Sequence, residues 1–167
     1  MKSYSIVYSS KTGNTKMLAD TIMKSLPELE CVYFGLPDEK ALLADRIYVG
    51  FWTDKGNCDD STAQFLQQTT SQEIFLFGTA GFGENPEYFE KILHHTEKHM
   101  PKTITLIGTY MCQGKMPMSV RERYEKMASS PIHMPNIKGM IENFDKALSH
   151  PDETDLQLLQ EKIALLQ

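Results

Sequence analysis

Residues 8–15 read Tyr-Ser-Ser-Lys-Thr-Gly-Asn-Thr and join an apolar run, Ser5 to Tyr8, to a helix-like stretch, Lys16 to Asp20. Ser10, Thr12 and Thr15 bring hydroxyl donors to that junction, and Gly13 relieves the backbone where the turn is tight. Where a strand passes into a helix, the first amides have no intrahelical partner. They point, with the helix dipole, at whatever lies before them, which makes a ready anion site. Amides from about Lys11 to Thr15, together with the hydroxyls, suit one terminal phosphate ringed by donors. A triphosphate loop would end in lysine followed by Ser or Thr after a longer turn, and a dinucleotide fingerprint would carry three glycines. The segment has neither. Lys11 either adds charge or faces water. The competing reading is a capped helix start, with Thr12 or Asn14 as the cap.

Three further segments carry residues suited to a ligand. Phe51 to Asp59 holds Trp52, the chain's one tryptophan, with Thr53, Asp54, Lys55 and Gly56 behind it. Gly78 to Glu84 holds Thr79, Ala80, Gly81, Phe82 and Gly83, whose glycines let backbone approach a ligand closely. Tyr110 to Lys115 includes the run Cys112-Gln113-Gly114-Lys115. His94, His95 and His99 share a helical spacing but have no carboxylate or cysteine companions, so they read as a solvated or interfacial face and not as metal ligands. Met100, Met111, Met116 and Met118 read as core filler or as an adaptable apolar surface. The cysteines, Cys31, Cys58 and Cys112, are odd in number and in no metal spacing. They argue against a disulfide framework or zinc site and fit a reducing cytoplasm. No His, Cys or Ser constellation for catalysis stands out.

The elements that must position these segments follow from the hydrophobic pattern. Tyr4 to Tyr8, Cys31 to Phe34, Arg46 to Phe51, Glu73 to Phe77 and Thr103 to Thr109 read as strands. The third and fourth are nearly continuous apolar runs, as parallel strands covered on both faces require. Thr15 to Ser25, Asp60 to Thr70 and Pro86 to His99 read as helices between them, the last with Asn85 as cap and Pro86 in the first turn. Strand and helix in alternation predict a doubly wound parallel α/β sheet with helices on both faces, whose ligands bind beyond the carboxyl ends of the strands. Ser119 to Ala128, Lys138 to Leu148 and a final helix from Pro151 to Leu166 follow as extra C-terminal helices, with acidic Asp152, Glu153 and Asp155 at the positive end of the last. With 167 residues and no repeat or linker, residues 1–167 read as one domain. The net charge of −5 argues against a nucleic-acid binder, and no apolar run suggests a membrane span or signal segment.

Ser10-Lys11-Thr12-Gly13-Asn14-Thr15, placed after an N-terminal strand, resembles the phosphate loop of flavodoxins, written Ser/Thr-x-Thr-Gly-x-Thr in that family. Cys112-Gln113-Gly114-Lys115 with His150-Pro151-Asp152-Glu153 further resembles a flavodoxin-family subgroup. The resemblance implies a five-stranded sheet of order 2-1-3-4-5 and noncovalent flavin mononucleotide (FMN), with two loops closing on its isoalloxazine ring. Trp52 then stacks on the ring or wedges between sheet and helix. Gly56 is the residue whose peptide can turn over when the flavin gains an electron, glycine permitting either conformation. Asp54, Asp59 and Asp60 are expected to surround the ring with negative potential, opposed by Lys55. Amides from Thr79 to Gly83 face the pyrimidine carbonyls, and Phe82 is the candidate for the other ring face, where many flavodoxins carry tyrosine.

The leading function is an FMN electron carrier working between redox partner proteins, a reductase and an acceptor, whose chemistry lies in the cofactor. One alternative is an FMN-dependent NAD(P)H:quinone-type oxidoreductase, its nicotinamide site built from rim loops. The other is a non-redox module that binds a phosphate ligand or a protein.

Overall fold

The computed structural model describes residues 2–83, 85–132 and 135–167. Strands β1 (Tyr4–Tyr8), β2 (Cys31–Gly35), β3 (Arg46–Asp54), β5 (Glu73–Ala80) and β6 (Thr105–Gln113) form a parallel sheet in the order β2-β1-β3-β5-β6. That is the expected 2-1-3-4-5 order. One strand was not anticipated: β4 (Asn57–Cys58) folds back antiparallel on the end of β3, pairing Thr53 with Cys58 and Asp54 with Asn57.

Period-two alternation along β3 and β5 sends the core to both sides of the sheet. Tyr48, Phe75 and Phe77 pack with Leu18, Ala19 and Ile22 of α1 (Asn14–Ser25) and Leu159 and Ile163 of α6 (Glu153–Ala164). Ile47, Val49, Ile74 and Leu76 pack on the other side with Phe65 and Leu66 of α2 (Asp60–Gln67) and Leu93 of α3 (Pro86–Glu97). Leu18 and Ile22 are fully buried, each contributing about 1.5–3 kcal/mol by leaving water. Asn85 caps α3 and Pro86 opens it, as the sequence predicts. Asp152, and not Pro151, begins α6: its carboxylate accepts from the Asp155 amide while the Asp155 carboxylate accepts from the Asp152 amide.

Helices α4 (Met118–Ser129) and α5 (Ile137–Ala147) form a hairpin between β6 and α6 with its own small core of Tyr124, Ile137 and Phe144. Arg121 of α4 pairs with Asp145 of α5 and lies 5.8 Å from the Phe144 ring centre. Asn143 of α5 donates to the Gly81 carbonyl at 2.9 Å, tying the hairpin to the carboxyl end of β5. Among the described residues no helix is long and apolar enough to cross a membrane.

Candidate functional site

The strands outrun their predicted ends. Trp52 pairs with Thr79, and Ala80 pairs with Gln113, so residues read as loop from sequence stand on rigid ladder backbone at the sheet's carboxyl rim. A cleft of about 660 Å³ opens there.

Its first wall is the strand-to-helix turn. Gly13 has φ +88, a left-handed conformation that explains glycine at this position. Asn14 and Thr15 open α1 and are both buried. The hydroxyls are arranged differently from expectation. Ser10 Oγ accepts from the Gly13 and Lys16 amides at 3.2 and 3.3 Å, shaping the turn from within. Thr15 Oγ1 donates to the Phe51 carbonyl at 3.0 Å and lies 3.2 Å from Thr79 Oγ1. Away from water, each hydroxyl takes the nearest backbone or side-chain partner. Thr12 remains at the cleft, its hydroxyl 3.4 Å from the Lys115 carbonyl. Asn14 Nδ2 donates to the same carbonyl at 2.9 Å, while its Oδ1 is buried without any partner. Lys11 Nζ sits 5.0 Å from the centre of the Trp52 ring, a cation–π contact across the mouth.

The second wall is the β3–β4 hairpin: Trp52, Thr53, Asp54 and Lys55 line the cleft. Positive φ at both Lys55 (+51) and Gly56 (+78) makes the two-residue turn that matches strand twist. Gly56 is absent from the lining because its carbonyl faces α3, where it accepts from His95 Nδ1 at 2.9 Å. A carbonyl only accepts, so that nitrogen carries the hydrogen. His99 Nε2 lies 3.3 Å from Asn57 Oδ1. The two histidines, read as a solvated or interfacial face, therefore hold the hairpin from behind; their spacing of four was the one signal in sequence.

Thr79, Ala80 and Gly81 make the third wall. The Gly81 carbonyl accepts from Gln113 Nε2 at 2.8 Å as well as from Asn143. Phe82 and Gly83 lie beyond it, in a separate cleft shared with Tyr88 and Met140; Phe82 meets Tyr88 edge-on at 6.4 Å. Glu84 lies outside the described residues. The fourth wall is Gly114 to Pro117 with Ser119, Val120 and Arg123 of α4; Gly114 and Lys115 belong to the third segment singled out in the sequence, whereas the α4 residues were not foreseen.

This wall gives the two C-terminal sequence motifs a joint role. Gly114 N–H donates to the Ala80 carbonyl at 2.9 Å, and Lys115 N–H to the His150 carbonyl at 3.0 Å. His150 Nδ1 in turn lies 2.7 Å from Asp155 Oδ2 at the start of α6. Cys112-Gln113-Gly114-Lys115 and His150-Pro151-Asp152-Glu153 are thus one contact that fixes the Lys115 carbonyl against Thr12 and Asn14.

The electrostatics reverse the expectation of a negative cleft. Asp59 is buried as the cap of α2, accepting from the Thr62 amide and hydroxyl at 3.1 and 2.8 Å, and Asp60 lies outside the lining. A helix start needed the carboxylate more than the cleft did. Among the described residues Asp54 is the acid left in the wall, against Lys11, Lys55, Lys115 and Arg123.

Burial pushes the Cys58 thiol up to about 11 and drives Cys112 higher still. Both stay protonated at neutral pH and unreactive. Iodoacetamide at pH 8 is therefore expected to add at most one group to the native protein, at the half-buried Cys31, and three after denaturation; intact mass reads the count.

A family model described as a flavodoxin domain matches residues 5–164. The flavodoxin-like domain-containing protein BilS of Clostridium symbiosum is 40% identical, covering 94% of this chain and 92% of the relative. Its counterpart of the same name in Clostridioides difficile is 34% identical, covering 90% and 88%. Among solved structures, a short-chain flavodoxin associated with a non-canonical PDU bacterial microcompartment superposes with a TM-score of 0.61 at 18% identity, over 98% of this chain and 95% of that one. The Fusobacterium nucleatum flavodoxin bound to FMN gives 0.52 at 13% identity, over 99% and 97%. At such identities the structural likeness speaks to the fold.

Proposed function

The chain belongs to the flavodoxin family, and from that premise we propose that it holds FMN as its cofactor and is an electron carrier passing electrons from a reductase to an acceptor protein. The observation that supports a bound FMN is Asn14 Oδ1, a buried acceptor with no donor in the wall of the cleft. An orphaned buried acceptor costs about 1–3 kcal/mol, so it calls for a ligand that brings a donor. A phosphate offers none near neutral pH once fully ionised; the hydroxyls of a ribityl chain do. In this reading Thr12 and the first amides of α1 hold the phosphate. Asn14 Oδ1 takes a ribityl hydroxyl, Trp52 lays its plane along the ring, and the amides from Thr79 to Gly81 meet the ring's polar edge. FMN itself supplies one- and two-electron chemistry. The chain's part is to bind and orient it and to limit its contact with water. The hairpin helps in this because His95 and His99 hold its turn against α3.

Three unpaired thiols fit a reducing cytoplasm as the place of action. The test begins with the spectrum of the purified protein and with titration of the apoprotein by FMN. Bound flavin with quenched fluorescence is expected, and a protein that stays colourless after incubation sinks the reading. Stopped flow then separates carrier from enzyme. The carrier is reduced through a reductase protein, whereas rapid direct reduction by NADPH would make it an NAD(P)H-dependent oxidoreductase.

A further inference from the structure

The charge of the cleft runs against the charge of the molecule. The chain carries −5 overall, yet exposed Lys11, Lys55, Lys115 and Arg123 line the cleft with Asp54 as their acid neighbour. Elsewhere Lys2 and Arg46 share Glu73, Lys16 pairs with Asp20, and Arg121 with Glu125 and Asp145. None of the four at the cleft forms an ion pair among the described residues. They come from four separate segments, and Arg123 is brought there by α4, whose place is set by buried Tyr124 and the α5 contacts. Gathering like charges from distant parts of the chain is unfavourable by itself and is offset by an anionic visitor. An FMN phosphate meets Lys11 at the turn. Lys55, Lys115 and Arg123 remain around the mouth, and Met118, between the lining residues Pro117 and Ser119 in sequence, is 58% exposed at the start of α4. An exposed apolar side chain on the same segment as exposed charge suits a protein contact.

Resting on the electron-carrier reading, we propose that this rim docks a redox partner protein that presents an acidic face. Complementary charge steers encounter and raises the association rate, and the gain fades as salt screens it. The molecule's overall charge predicts the opposite preference, for a basic partner, so experiment separates the two.

The FMN-loaded protein, fully reduced, is mixed with cytochrome b5, whose haem edge is ringed by carboxylates, or with cytochrome c, ringed by lysines. Each flavin hydroquinone anion reduces two ferric haems to ferrous, returning to oxidised FMN and releasing one proton. Rates are read from about 0.01 M to about 1 M NaCl, across which the screening length contracts from about 30 Å to about 3 Å. The rate with cytochrome b5 is expected to fall with salt and that with cytochrome c to hold or rise. Arg123→Glu is expected to slow cytochrome b5 reduction at low salt by about threefold or more, and Arg123→Lys to retain the rate, each normalised to bound flavin. A loaded protein whose cytochrome c rate falls with salt while cytochrome b5 is indifferent overturns the docking proposal alone. A protein with no flavin absorbance overturns the carrier reading and this inference together.

Discussion

Gly114→Val is expected to weaken FMN binding by about a hundredfold, about 2.7 kcal/mol, and to cost the apoprotein about 1–3 kcal/mol by overpacking. A Cβ on Gly114 would stand 2.4 Å from Asn14 Nδ2 and 2.8 Å from Asn14 Cγ. Asn14 is 6% exposed and bonded through that same Nδ2 to the Lys115 carbonyl, so it has no open space to swing into. Its displacement leaves the Lys115 carbonyl with the longer bond from the Thr12 hydroxyl and shifts Oδ1 from its place in the wall. The backbone of Gly114 still donates to Ala80, so the sheet edge is kept. Fluorescence titration of apoprotein with FMN gives the affinity, and urea unfolding of the same apoprotein gives the stability. Gly114→Ala should lose most of what valine loses, because the colliding atom is Cβ in both. An alanine variant within about threefold of wild type in FMN affinity would mean that the Gly114–Asn14 approach does not shape the site.

That contact also marks where sequence reading stopped. Period and apolar runs expose whatever repeats locally, so the five parallel strands and the helices on both faces were legible, while the strand order came from the resemblance of the Ser10 to Thr15 loop. The turn from Ser10 to Thr15 was legible as well, because its amides belong to a strand-to-helix junction visible in the chain itself. What one segment does to another was not. Lys115 sits 101 positions from Asn14, and neither residue type announces a backbone carbonyl as partner. Lysine at φ +51 hid the β3–β4 hairpin, since asparagine or aspartate is the usual sign of that turn. Asp59 read as a cleft charge because charge is visible in sequence, whereas its capping bond to Thr62 is a matter of geometry. The α4–α5 hairpin was predicted as two helices, but its position over the cleft depends on Asn143 and Gln113 meeting at the Gly81 carbonyl.

Phe77→Ala is expected to cost about 3–5 kcal/mol, a large share of the roughly 5–15 kcal/mol that holds a domain of this kind. Phe77 is fully buried at the centre of the sheet, on the face covered by α1. Its register partner on β3 is Gly50, and the next pair along reverses the arrangement, Phe51 opposite Gly78. A Cβ on Gly50 would lie 2.4 Å from the Phe77 ring, and one on Gly78 would lie 2.6 Å from the Phe51 ring. Each ring therefore lies across bare backbone of the neighbouring strand, one on each face of the sheet. The same Gly50 Cβ would stand 3.0 Å from the Thr15 methyl, so the pair also supports the floor of the turn that leads into α1. Gly50→Ala forces the ring aside and should cost about 1–3 kcal/mol by overpacking. In the double variant the added methyl enters space that the missing ring has vacated. Its cost should fall short of the sum of the single costs by about 1 kcal/mol or more. Urea midpoints and slopes for the four proteins measure this coupling. Strict additivity would show that the ring does not rest on Gly50, because a clash with Phe77 cannot persist once Phe77 is gone.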